Sequence, residues 1–288
     1  MFQLPSPLQK IETAFTRQYN IHLFIKRDDL IHPEISGNKW RKLKYNMEQA
    51  KKENKDTILT FGGAYSNHIT ATAAAGKYFG LKTIGIIRGE AYQPLNKSLQ
   101  FATDCGMELV YVDREKYKTK NIDSFLTTHD SRLIYFLPEG GANTLALQGC
   151  TEIVDELDID FDYICCACGT GTTIAGIASN LKPHQQAIGF AVLKHDKLQE
   201  EIIEKFPNLK SEISILNSHF GGYAKTTPEL IQFIKAFYNE HQILLDYVYT
   251  GKMMFGIFDL IAKNYFPENS TIVALHTGGV MNANVFSV

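Results

Sequence analysis

The residues most suggestive of chemistry in this 288-residue chain lie in Ile35-Ser36-Gly37-Asn38-Lys39-Trp40-Arg41-Lys42-Leu43. Trp40, Leu43 and Met47 recur at helical spacing, which predicts a helix beginning near Asn38 or Lys39. Lys39 stands at this loop-to-helix junction, on the same side as Leu43 four residues on. A lysine turned inward there loses hydration, so its ammonium form is disfavoured and its pKa falls. Such an amine suits Schiff-base chemistry with an aldehyde cofactor. The stretch also fits a solvated basic helix start, with Arg41, Lys42 and Lys44 as neighbours.

Four more segments could supply the rest of a site. In Phe61-Gly62-Gly63-Ala64-Tyr65-Ser66-Asn67-His68, two glycines permit close backbone approach to a ligand, and Ser66 is placed to cap the next helix. In Cys168-Gly169-Thr170-Gly171-Thr172-Thr173-Ile174-Ala175-Gly176, a strand runs into a Gly/Thr-rich turn and then a helix. Amides and hydroxyls so placed make a phosphate cradle. This turn lacks the Lys-Ser/Thr of a P-loop, and Ile174 occupies the third glycine of a dinucleotide fingerprint, so a small phosphorylated cofactor fits better. Both turns also fit well-capped connections that bind nothing. Leu245-Asp246-Tyr247-Val248-Tyr249-Thr250-Gly251-Lys252 offers a phenol and a neutral hydroxyl before an apolar helix expected from about Met253. Leu275-His276-Thr277-Gly278-Gly279 is a strand end opening into glycines, where a lone histidine is more often structural than catalytic.

These segments need a frame. Apolar runs rich in Val, Ile, Tyr and Cys predict strands over 57–61, 83–87, 108–112, 133–137, 163–168, 188–193, 213–216 and 271–275. Helical patterns, such as 67–80, 144–157 and 172–181, separate them. The alternation implies an α/β protein with parallel sheets covered on both faces. Such sheets bind ligands at the carboxyl ends of their strands, where these loops fall. The length leaves room for two domains, a small one over 52–149 and a large one over 1–51 plus 150–288.

Composition excludes several classes. Net charge is −2, with 44% hydrophobic and 21% charged residues, which leaves no electrostatic footprint for nucleic acid. Residues 1–10 lack the blocks of a signal peptide, and no apolar run is long enough for a bilayer, so a cytoplasmic protein is expected. The five cysteines are an odd number in a long chain and read as core residues. In a strand, Cys166 and Cys168 would share one face and Cys165 the other.

Together with Ile25-Lys26-Arg27-Asp28-Asp29-Leu30 and Gly221-Gly222-Tyr223, these segments resemble the family of 1-aminocyclopropane-1-carboxylate (ACC) deaminase and D-cysteine desulfhydrase. These are fold-type II pyridoxal-phosphate enzymes related in architecture to the tryptophan synthase β subunit. The matches run in the family's order along nearly the whole chain. The resemblance implies two domains, each an open, mostly parallel sheet flanked by helices, and a homodimer. It implies pyridoxal 5'-phosphate carried by Lys39, its ring oxygen bonded by Asn67 and its phosphate held by Gly169, Thr170, Gly171, Thr172 and Thr173. Thr250 and Thr277 would complete the cofactor site. Ser66, Asn67 and His68 would receive the carboxylate of a small amino-acid substrate. Tyr223 and Tyr249 would stand over that substrate, with Lys39, Ser66, Tyr223 and Tyr249 as the catalytic set.

The departures from the family pattern select a branch. Thr250 stands where the deaminases carry a glutamate that keeps the pyridine nitrogen protonated. A threonine cannot supply that charge, and Thr277 resembles the desulfhydrase side. His68 occupies a place that is often Gln in the deaminases. The expectation is therefore β-elimination from D-cysteine, giving pyruvate, ammonia and hydrogen sulfide. The alternatives are opening of the ACC ring to 2-oxobutanoate and ammonia, or a non-catalytic protein that binds the cofactor or a similar phosphate ligand.

Overall fold

The structure, a computed structural model, describes residues 1–35, 37–120, 130–209, 211–218 and 220–279. In chain order its main elements are β1 (Leu8–Ile11), α1 (Ala14–Gln18), β2 (His22–Lys26), α2 (Asn38–Lys52), β3 (Thr57–Gly63), α3 (Asn67–Phe79), β4 (Lys82–Arg88), α4 (Lys97–Asp104), β5 (Met107–Val112) and α5 (Arg114–Thr119). There follow β6 (Ile134–Leu137), α6 (Thr144–Asp155), β7 (Tyr163–Cys168), α7 (Thr172–Ala178), β8 (Gln186–Ala191), α8 (Leu198–Lys205), β9 (Ile213–Asn217), α9 (Pro228–His241), α10 (Thr250–Ala262) and β10 (Thr271–Leu275). Two compact units result, Met1–Asn38 with Leu147–Val288, and Lys39–Ala146.

The larger unit holds a six-stranded sheet in the order β1-β2-β10-β7-β8-β9, parallel except for β1 against β2. Its strands alternate between two cores. Cys165, Ala167, Ile272 and Ala274 face one, and Ile164, Cys166, Cys168, Val273 and Leu275 the other. Burial on both faces explains the unbroken apolar runs. The cysteines divide as the strand period requires, and burial pushes the Cys165 thiol up, away from thiolate. All eight expected strands are present. The sequence reading omitted β1 and β2, which are short and interrupted by charge. Lys26, at the end of β2, is wholly buried, with Nζ donating to Ser6 O (2.7 Å) and Glu156 Oε2 (2.8 Å).

The smaller unit holds a parallel sheet in the order β5-β4-β3-β6. Leu59, Phe61, Ile84 and Ile86 pack on one side of it, and Ile87 joins Ile69, Ala73 and Leu99 on the other. The small residues of α3 let it lie close on β4: a Cβ at Gly76 would meet Thr83 Cγ2 at 2.3 Å. Each buried Ile, Leu or Phe contributes about 1.5–3 kcal/mol. An exposed pair such as Lys82–Asp56, at 3.1 Å, is worth about 0–1 kcal/mol, so the cores hold the unit together. Among the described residues, no helix is long and apolar enough to cross a membrane.

Candidate active site

In the larger unit, three of the expected loops meet. Gly37 has φ +65°, and a Cβ there would lie 1.9 Å from the carbonyl oxygen of Thr277. Gly37 N donates to Asp28 O (3.0 Å) and Asn38 N to Thr277 O (3.3 Å). Asn38 Nδ2 donates to Thr173 Oγ1 (2.9 Å). The backbone preceding Lys39 is thus moored to the Gly/Thr turn and to the end of β10. Lys39 itself is half-buried in the first turn of α2, whose start at Asn38 matches the spacing. Ser36 lies outside the described residues.

The Lys26-Arg27-Asp28-Asp29 segment braces this junction. Arg27 holds Asp29 by two bonds of 2.9 and 2.8 Å, and Asp29 N donates to His276 O (3.1 Å). His276 is buried, with Nε2 2.9 Å from Leu244 O and Nδ1 accepting from Gly278 N (3.3 Å). Those contacts fix the ring beside Thr277 and Gly278, with Asp29 Oδ1 3.5 Å from Nδ1.

Beyond β7, Gly171 has φ +76°, and a Cβ there would lie 2.2 Å from Ile202 Cγ1, so α8 lies directly against the turn. Thr172 is wholly buried, and its Oγ1 has no hydrogen-bond partner among the described residues. Thr173 is buried, Thr170 exposed and Gly169 half-buried. An orphaned buried hydroxyl costs about 1–3 kcal/mol and calls for a ligand partner.

Tyr249 stands against this turn, its Cε1 3.5 Å from where a Gly169 Cβ would be. Its ring meets that of Tyr223 edge-on with centroids 6.3 Å apart. Burial, then Tyr223 and Asp246, push the Tyr249 phenol well above its usual range, so it stays protonated. α10 begins at Thr250 rather than near Met253 because Asp246 organises the preceding turn. Its Oδ2 accepts from the amides of Val248 and Tyr249 (2.8 Å each), and its Oδ1 from Thr250 N (2.9 Å) and Thr250 Oγ1 (2.8 Å). Thr250 Oγ1 in turn accepts from Asp246 N (2.9 Å). Both oxygens of this buried carboxylate are filled, and the threonine proton is committed.

In the smaller unit, Ser66 Oγ caps α3 by accepting from His68 N (3.2 Å) and Ile69 N (3.4 Å), leaving its proton to donate. Asn67 and Ser66 are half-buried. His68 is 3% exposed, with Nε2 2.8 Å from Thr60 Oγ1. Thr60 Oγ1 donates to Leu137 O (2.8 Å), so the ring nitrogen must donate to Thr60. Nδ1 is left as a buried acceptor without a partner among the described residues. Burial, then the charges of Lys39 and Lys42, hold the His68 pKa well below the usual imidazole range. The ring is therefore neutral: its Nε2–H is committed to Thr60, and Nδ1 can only accept.

The sequence profile of the family described as "Pyridoxal-phosphate dependent enzyme" matches residues 1–278. The chain belongs to that family. Its relatives include a Thermotoga maritima protein provisionally named a 1-aminocyclopropane-1-carboxylate deaminase, 30% identical over 96% of this chain and 94% of the relative. A mitochondrial Arabidopsis thaliana protein, named a bifunctional D-cysteine desulfhydrase/1-aminocyclopropane-1-carboxylate deaminase, is 31% identical over 90% of this chain and 72% of its own. The crystal structure of a protein described as an ACC deaminase homologue superposes with TM-score 0.85 at 29% identity, covering 99% of this chain and 94% of that one. The fold is that of type II pyridoxal-phosphate enzymes.

The residues of this pyridoxal-phosphate enzyme fit its cofactor. Thr172 offers an unsatisfied buried hydroxyl beside two glycines, as a phosphate requires. Lys39 is a half-buried amine on a braced backbone. Three supporting residues escaped the sequence reading: Asn38, Thr60 and Asp246. Asp246 carried a signal, an acid four residues before Thr250 at a helix start. Thr60 and Asn38 carried none, since their partners lie 8 and 135 residues away in sequence.

Proposed function

We propose that this enzyme catalyses β-elimination from a small amino acid with a good leaving group, D-cysteine first. D-cysteine and water would give pyruvate, ammonia and hydrogen sulfide. Bound pyridoxal phosphate supplies the electron sink for negative charge developing at the substrate α-carbon. Lys39 would hold the cofactor, and its Nζ would take the substrate α-proton. Ser66, through its remaining proton, and Asn67 orient the substrate carboxylate. Thr172 and Thr173, with Gly169, Thr170 and Gly171, hold the phosphate. Tyr249, its phenol held protonated, and Tyr223 stand over the substrate. The His68 ring enters as an acceptor and not as a donor to the carboxylate.

The observation that carries this reading is the closed turn at Thr250. Its hydroxyl donates to Asp246, and that carboxylate already accepts four bonds. Thr250 carries no charge, and the Asp246 carboxylate has no lone pair left to pair directly with a protonated pyridine nitrogen. A weaker electron sink tolerates loss of hydrosulfide better than opening of a carbocycle. A phenol held protonated by burial is also a poor nucleophile for ring opening.

The test is keto-acid release by the cofactor-loaded enzyme from D-cysteine, L-cysteine, D-serine and ACC. The expected result is pyruvate from D-cysteine at a kcat/KM at least about tenfold above that for the others, a difference of ~1.4 kcal/mol in transition-state binding. Release of 2-oxobutanoate from ACC at a rival rate overturns the branch. A loaded protein that releases no keto acid from any of the four overturns the enzyme reading in favour of a binding protein.

A further inference from the structure

Lys252 is wholly buried in the first turn of α10, an unfavourable place for an ammonium unless it makes a strong hydrogen bond. Its Nζ donates to Gly222 O (2.9 Å), and its own carbonyl accepts from Ser218 Oγ (2.8 Å). Gly222 O also accepts from Lys225 N (3.2 Å) and so closes the turn that presents Tyr223. That turn is strained. Phe220 and Ala224 have φ of +48° and +54°, and Gly221 and Gly222 have +91° and +132°. Phe220 packs edge-on against Phe255 (5.2 Å), three residues along the same helix from Lys252. Tyr223 is 46% exposed, so its own burial does little to hold it beside Tyr249.

We propose that Lys252 is a positioning residue: a buried cation that straps the Gly222 carbonyl to α10 and thereby holds the Tyr223 phenol against Tyr249. The inference deepens the proposed function, since it rests on that reading for the role of Tyr223. One helix then sets both phenols, Tyr249 through the turn at its start and Tyr223 through the lysine.

The test is hydrogen exchange in the pyridoxal-phosphate-loaded enzyme carrying Lys252→Met, which keeps the stem and removes the donor. Amides of 220–225, that of Lys225 above all, are expected to exchange about tenfold faster or more, with those of α10 unchanged. In the same variant kcat/KM for D-cysteine is expected to fall about tenfold, but less than about twofold when the change is made in a Tyr223→Phe background. Unaltered exchange at 220–225, faster exchange spread through α10, or an equal loss in both backgrounds overturns the proposal. Should methionine at this position prevent folding, Lys252→Gln, which keeps a shorter neutral donor, is read by the same peptides. A wild-type enzyme inert toward D-cysteine overturns the proposed function instead and leaves the exchange result to decide the strap.

Discussion

Replacing Lys39 with alanine is expected to abolish cofactor attachment and to lower keto-acid release by about 10³-fold or more, since one group supplies both the covalent link and the proton transfer. Lys39→Arg should fail equally. A guanidinium stays charged and cannot form the imine or take a proton. The fold should survive both changes. Lys39 is half-buried in a first helical turn, and the bonds that moor the junction belong to Gly37 and Asn38. Absorption spectra, keto-acid assays and thermal unfolding of the two variants check these outcomes. Turnover near the wild-type rate in Lys39→Ala would remove the lysine from the mechanism.

The second large effect falls on Gly37. Alanine there meets two obstacles, a φ of +65° and a backbone oxygen 1.9 Å from the new Cβ. Positive φ alone costs about 1–2 kcal/mol, and overpacking against backbone adds about 1–3, so Gly37→Ala should destabilise by about 2–5 kcal/mol. Gly80 is the control. It has φ +69° at the end of α3 with nothing within 4 Å of a Cβ, so Gly80→Ala should cost only the conformational part. Denaturant unfolding of both variants measures the difference. That difference reports the contact with Thr277, since the two backbones are otherwise alike. Equal losses would mean that the close approach to Thr277 does not hold the Lys39 junction.

The legible parts of this protein were those written by burial and by local backbone chemistry. The strands at Tyr163–Cys168 and Thr271–Leu275 have the expected limits because both faces of each are buried. Ser66 could be read as a cap because a cap needs only residues two and three positions on. β2 could not be read, because Lys26 breaks its apolar pattern and becomes tolerable only beside Ser6 and Glu156, 20 and 130 residues away in sequence. The start of α10 was placed three residues late, because Tyr249, Thr250 and Gly251 are weak helix formers and the Asp246 side chain compensates for them. His68 was legible as a site residue but not its state. The neutral ring, with Nε2–H spent on Thr60 and Nδ1 left to accept, follows from Thr60 and the Leu137 carbonyl, which come together only in the folded sheet.

The central claim, an imine at Lys39, has a direct chemical measurement. The pyridoxal-phosphate-loaded protein is reduced with borohydride, digested, and its peptides are weighed. The account predicts one adduct, on the peptide that contains Lys39, with the buried lysines Lys26, Lys42 and Lys252 unmodified. An adduct on one of those residues instead, or a loaded protein that yields none, would contradict it.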